Sequence, residues 1–228
     1  SLIAAQQDPR PSIICCKTNI GFGSPNKAGT ASSHGNPLGE EEIALTRENL
    51  GWPYPPFEIP EDVYSVWDCR KKGSEAEIVW QKLLSEYHSK FPALAAEFER
   101  VIDRNLPASW DDEMIQLARQ FQKEARTMAS RNASGEVIAK VSELLPELTG
   151  GSADLSGSNC TIWPEARPMG PCQADANYIY YGVREFGMTA IGNGMALHGG
   201  LRPFSGTFLI FMEYARNAAR MAALMGVP

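Results

Sequence analysis

Between residues 21 and 39 the chain reads Gly-Phe-Gly-Ser-Pro-Asn-Lys-Ala-Gly-Thr-Ala-Ser-Ser-His-Gly-Asn-Pro-Leu-Gly, a stretch that neither a helix nor a strand can absorb. It is too long for a simple connection, and its glycines expose backbone donors, so it has the character of a functional loop on a folded scaffold. The flanks define that scaffold. Ser12-Ile-Ile-Cys-Cys-Lys-Thr18, an apolar run bounded by Pro11 and Gly21, is predicted to be a fully buried parallel strand. Glu40 to Asn49, with acids in its first turn, is predicted to be a helix, which the Pro-rich Trp52-Pro-Tyr-Pro-Pro-Phe57 ends.

From Glu61 to Leu145 the sequence turns charge-rich, with apolar residues such as Ile78, Trp80, Leu83, Leu84 and Tyr87 at helical spacing. Several helices in series are expected, punctuated by Pro92 and Pro107, with Ser109 or Asp111 capping the one that carries Met114, Ile115, Leu117 and Phe121. Their charges read as solvated helix faces. At Leu144-Leu-Pro-Glu-Leu-Thr-Gly-Gly151 an apolar element opens a second α/β region. There, a small-residue helix is expected from Gly187 to Leu197, a strand or loop from Arg202 to Thr207, and a long helix from Phe208 to Met225.

A hydrophobic fraction of 43% over 228 residues allows a sizeable core. A net charge of −6 with no Lys or Arg block argues against nucleic-acid binding. The longest apolar stretches fall short of the roughly 18 residues a membrane span needs. Ser1 to Gln7 has neither an initiator Met nor a basic leader, so it is not read as a signal peptide, and the chain is expected to be part of something longer. Cys15, Cys16, Cys69, Cys160 and Cys172 have no zinc-type spacing and read as reduced, buried thiols in a reducing, cytoplasmic compartment.

Several residues invite chemistry, each with a plainer reading beside it. Gly192-Asn-Gly194 is no dinucleotide fingerprint, since residue 197 is Leu; its glycines read as close-packing positions. Glu185 stands among Tyr180, Tyr181 and Phe186, a setting that raises the cost of a charge. The pattern alone favours a structural carboxylate, paired with Arg184 or capping the helix. Phe208, Phe211 and Tyr214, three apart, spread over about 120° of one helix face. By spacing they are core, although such a face also walls a flat heteroaromatic ring. His34 lies in the Gly-rich loop, where a lone histidine usually carries no chemistry; Arg131 and Ser158 are ordinary polar positions that together are able to clamp a phosphate.

Taken together, five strings decide between these readings. Lys17-Thr-Asn-Ile-Gly-Phe-Gly23, His34-Gly-Asn-Pro-Leu38, Gly150-Gly-Ser-Ala-Asp-Leu155, Tyr181-Gly-Val-Arg-Glu-Phe-Gly-Met188 and Phe208-Leu-Ile-Phe-Met-Glu-Tyr-Ala-Arg216 resemble the transketolase family in order and spacing, across the whole chain. The resemblance implies an α/β fold: parts of two thiamine-diphosphate-binding parallel-sheet domains joined by a helical connector. Residues 1–59 would close the diphosphate-binding domain, 60–130 would form the connector and 131–228 would open the pyrimidine-binding domain. It implies ketol transfer from a ketose phosphate of the xylulose 5-phosphate type to an aldose phosphate, in a homodimer with active sites at the subunit interface.

By the same resemblance Glu185 bonds N1′ of the cofactor pyrimidine and is catalytic. Phe208, Phe211 and Tyr214 pack around that ring, and Asp154 and Leu155 help hold the cofactor. His34 serves cofactor, substrate and catalysis, and Arg131 and Ser158 grip the substrate phosphate. Mg²⁺ is implied, with its Gly-Asp-Gly ligand motif expected upstream of Ser1. Ala31 stands where bacterial relatives carry another histidine. Dihydroxyacetone synthase is the nearest rival in chemistry. A catalytically inert segment is the other alternative.

Overall fold

The computed structural model describes all residues, Ser1–Pro228, as two compact units, Ser1–Glu77 and Ile78–Pro228. The first unit holds α1 (Leu2–Gln7), α2 (Glu40–Asn49), α3 (Glu61–Trp67) and the start of α4 (Arg70–Lys90), with a 3₁₀ turn at Ala31–Ser33. Residues 21–39 form the loop that their composition requires. It is tied to α2 by Glu42, a buried carboxylate that accepts from the Ser24 hydroxyl and, at 2.8 and 2.9 Å, from the backbone and side-chain nitrogens of Asn26. The Asn49 side chain adds a bond to the Gly23 carbonyl at 2.9 Å, and Lys27 Nζ one to the Leu38 carbonyl at 2.7 Å.

The strand expected at residues 12–18 does not form. Those residues are extended coil and exposed, Ile13 by 89%. A parallel strand exists only as part of a ladder, and residues 1–77 contain no second strand to pair with. Cys15 and Cys16 are consequently exposed, as are Cys69 and Cys172, while Cys160 is half-buried; the expectation of buried thiols fails with the strand.

In the second unit α4 continues into α5 (Pro92–Ile102), α6 (Trp110–Glu124) and α7 (Ser130–Leu144). Ser109 occupies the N-cap of α6, yet its hydroxyl makes no capping bond. Of the apolar series on α4, Ile78, Trp80 and Leu83 stay largely exposed. The sheet follows: β1 (Leu148–Ser152), then the single turn α8 (Ser156–Asn159), β2 (Tyr178–Tyr180), α9 (Glu185–His198), β3 (Arg202–Gly206) and α10 (Met212–Met225). All pairings are parallel, in the order β2-β1-β3, with Gly151 opposite Ile179 on one side and Ser205 on the other.

The central strand's glycines explain its fit. A Cβ on Gly151 would lie 1.8 Å from the Ile179 carbonyl oxygen, and one on Gly150 would lie 2.2 Å from that of Phe204. Strand β1 is fastened to α5 by a bidentate pair: Arg100 Nη1 and Nη2 donate to Glu147 Oε1 and Oε2 at 3.0 and 2.9 Å. Arg202 Nε adds a longer bond to Glu147 at 3.4 Å. Against the sheet, α9 buries Met188 and Ala196 and packs with α10, where Asn193 Nδ2 donates to the Ala218 carbonyl at 2.8 Å.

Candidate active site

Glu185 is the first residue of α9, entered through a turn at Gly182 with φ 65°. It is 8% exposed, and no cation pairs with its carboxylate. Arg184, the partner that sequence reasoning favoured, instead donates from Nη1 to the Tyr181 carbonyl at 2.7 Å. Nor does Glu185 cap the helix, because Arg184 holds the N-cap position and no side chain makes a capping bond. Both plain readings are therefore unmet, and a buried carboxylate is left at the positive end of a helix dipole. Four residues earlier, Tyr181 is buried with Ala153 and Met188, and its hydroxyl has no hydrogen-bond partner. Burial pushes that phenol up to about 12.

The aromatic series takes a form that spacing alone does not give. The helix expected from Phe208 is a 3₁₀ turn, Leu209–Phe211, before α10 begins at Met212. Phe208 caps that turn in extended conformation and its carbonyl accepts the Phe211 N–H at 2.9 Å, and the two rings stack with centroids 5.9 Å apart and an interplanar angle of 22°. Beyond the change to α geometry each step of three falls short of a full circle, and Phe211 and Tyr214 tilt by 51° at 6.2 Å. They do not form core: Phe208 is 39% and Tyr214 68% exposed.

Arg131 and Ser158 come together in an open groove of about 620 Å³, shared with Phe208 and Thr207. No acidic residue lines it, and Arg131 forms no ion pair. The Thr207 hydroxyl, buried beside this groove, has no partner, a signal invisible in the sequence. Asp154 takes the left-handed conformation at φ 62° and is exposed, turning the chain from β1 toward Leu155, which is half-buried at the N-cap of α8. His34 belongs to the first unit, exposed at the end of the 3₁₀ turn, Ala31–Ser33. No cluster of three or more His, Cys, Asp or Glu side chains is arranged to hold a metal ion, and no helix is long and apolar enough to cross a membrane.

Residues 1–107 match the family described as "Transketolase, thiamine diphosphate binding domain", and residues 126–228 match "Transketolase, pyrimidine binding domain". The chain belongs to the transketolase family. It is 52% identical to Transketolase 2 of Vibrio vulnificus over 224 residues, 98% of this chain and 34% of that protein. Transketolase 1 of the same species is 53% identical over the same share. Among solved structures, transketolase from Leishmania mexicana superposes with a TM-score of 0.82 at 36% identity, covering 97% of this chain and 32% of its own. Transketolase of Pichia stipitis in complex with sedoheptulose 7-phosphate does so at 0.83 and 33% identity, over 96% of this chain and 33% of that one. The chain thus spans about a third of the length of the transketolases it matches.

Proposed function

We propose that this chain works as part of a thiamine-diphosphate-dependent transketolase that moves a two-carbon ketol unit from a ketose phosphate, such as xylulose 5-phosphate, to an aldose phosphate. The observation that carries the reading is Glu185, a buried carboxylate at a helix start with no counter-ion. Bound thiamine diphosphate supplies an acidic C2 carbon that serves as nucleophile and electron sink. Glu185 would hold a proton between its carboxylate and N1′ of the aminopyrimidine and so raise the basicity of the ring's amino nitrogen. Phe211 would stack on the pyrimidine with Phe208 and Tyr214 flanking it, and Leu155 and Asp154 would support the cofactor from the β1–α8 turn.

Arg131 and Ser158 grip the sugar phosphate, a role supported by their shared groove free of acids. His34 stabilises charge on the reacting oxygens and contacts the diphosphate. On this reading residues 1–59 belong to the diphosphate-binding domain, 60–130 to the connector and 131–228 to the pyrimidine-binding domain of a cytoplasmic homodimer. No cluster of His, Cys, Asp or Glu side chains here is arranged to hold Mg²⁺, and on this reading its ligands belong to a part of the enzyme outside this chain.

That misfit favours a second reading for the chain alone, an inert segment without measurable cofactor affinity. Calorimetric titration of the 228-residue chain with thiamine diphosphate and Mg²⁺ is expected to give no binding heat. Tight, metal-dependent binding would overturn the inert reading.

A further inference from the structure

At its C-terminal end β1 begins a chain of hydrogen bonds to which the proposed chemistry assigns no task. Ser152 Oγ, fully buried, accepts from the Leu155 backbone N–H at 3.1 Å and from Asn159 Nδ2 at 2.9 Å. The other end of that carboxamide, Asn159 Oδ1, accepts the Thr161 hydroxyl at 2.9 Å. Thr161 is paired in turn with the Tyr178 phenol, also at 2.9 Å. A hydroxyl has one proton, and Thr161 gives its own to Asn159, so Tyr178 is the donor in the last bond. Burial raises the Tyr178 pKa, which keeps that donor in place.

Strand β3 closes the arrangement from the far side. A Cβ on Gly206 would meet Thr161 Cγ2 at 2.7 Å and Asn159 Nδ2 at 3.1 Å. Just beyond, Cys160 leaves α8 in the left-handed conformation, and its carbonyl packs so closely on α7 that a Cβ on Gly135 would come within 2.8 Å.

A helix of one turn has no stability of its own, so α8 lies where its tethers put it. Besides the Cys160 contacts with α7, where its thiol reaches Asn132 Oδ1 at 3.4 Å, one tether is the Leu155 N–H at its start and another is the Asn159 carboxamide at its end. Ser158 sits between them, facing the groove that Arg131 enters from the fifteen-residue α7.

We infer that Asn159 is a positioning residue for substrate phosphate: its carboxamide, locked between Thr161 and Ser152, sets the distance between the Ser158 hydroxyl and the Arg131 guanidinium. This rests on the reading of the groove as a phosphate grip. A phosphate gains from two donors only when their spacing is fixed beforehand, so a loosened Ser158 weakens hold on the phosphate without touching the reacting carbons.

The test uses the Vibrio vulnificus enzyme with its matching segment exchanged for this chain, assayed with fructose 6-phosphate and with unphosphorylated fructose as donors. Asn159→Ala is expected to raise KM for fructose 6-phosphate by about tenfold, the scale of a strong hydrogen bond, with kcat and the KM for fructose changed by less than about twofold. Thr161→Val, which removes only the hydroxyl that orients the carboxamide, is expected to give a smaller rise of about threefold in the same constant, and serves if Asn159→Ala does not fold. Arg131→Ala calibrates the groove. If Arg131→Ala raises the fructose 6-phosphate KM while the other two variants leave it unchanged, Asn159 does not position the grip. If Arg131→Ala moves nothing, the phosphate reading falls and takes this inference with it. Equal losses with both donors, or a fall in kcat alone, would mark Asn159 as generally structural and also overturn the proposal.

Discussion

The Arg184 guanidinium donates to the Tyr181 carbonyl at 2.7 Å, closing the turn that precedes α9, and so it is not available to neutralise its neighbour Glu185. Adjacent opposite charges invite pairing on paper, but side chains at i and i+1 point away from one another when the first is the N-cap and the second begins the helix. The turn thereby leaves the Glu185 carboxylate without a cation partner in this chain.

In the exchanged-segment enzyme, Glu185→Gln is therefore expected to slow hydrogen exchange at the cofactor's C2 carbon by about a hundredfold or more, the usual contribution of a positioned proton-transfer group. Affinity for the cofactor should change by less than about threefold, because Gln keeps the shape and one hydrogen bond. Exchange followed by NMR at an unchanged rate would remove Glu185 from the mechanism.

Tyr181 offers a test in the opposite direction. Its hydroxyl is buried without a partner, a desolvation cost with no hydrogen bond to offset it. Tyr181→Phe is expected to stabilise the second unit by about 1 kcal/mol in urea unfolding. A loss of stability instead would mean that the hydroxyl has a hydrogen-bond partner in solution.

How much of this was legible beforehand differs between the two units. The helices from Glu61 onward and the succession of α9, β3 and α10 follow from apolar spacing and Pro and Gly punctuation, whereas β2 and the parallel pairing do not, and α2 runs over the predicted residues, Glu40–Asn49. Ser12 to Thr18 misled because composition describes what a strand is made of, whereas pairing depends on a neighbour that residues 1–77 do not contain. At the site, the residues were recognisable only as strings. Nothing local in Tyr181 to Met188 announces that Arg184 turns back on the Tyr181 carbonyl, and the stack at Phe208 and Phe211 depends on a 3₁₀ turn that the helical period conceals. The Ser152 and Asn159 pairing joins residues that are unremarkable apart and meaningful only once β1 and α8 are folded.

Glu147 anchors the helical segment to the sheet from a position only 4% exposed at the side chain. Glu147→Ala takes the bidentate partner from Arg100, which keeps Glu97 and the Asn105 carbonyl, and also the longer contact from Arg202, so it is expected to cost about 2 kcal/mol. Chemical denaturation of the chain, followed by tryptophan fluorescence, measures this. A cost below about 1 kcal/mol, the level of a surface pair, would show that water already reaches the site.

Acid should loosen the Gly-rich loop. Hydrogen bonds from Ser24 and then from Asn26 hold the Glu42 carboxyl down at about 2, against 4.5 for an ordinary glutamate. A depressed carboxyl stabilises the folded loop fully above its unfolded value, and the contribution disappears as pH falls from 4.5 toward about 2. Hydrogen exchange of residues 21–39 is expected to quicken through that window and to be fast at every pH in Glu42→Gln. Protection independent of pH between 5 and 2, roughly, would show that another group holds the loop.

The aromatic stack from Phe208 to Tyr214 counts in threes across a change of helix type, and that makes its length a constraint separate from its chemistry. A conservative exchange of one ring for another leaves the ladder standing, whereas one residue inserted after Phe211 rotates Tyr214 by about 100° and shifts it about 1.5 Å along the axis. Among descendants of this sequence, drift in side-chain identity here is tolerable, and gaps are not.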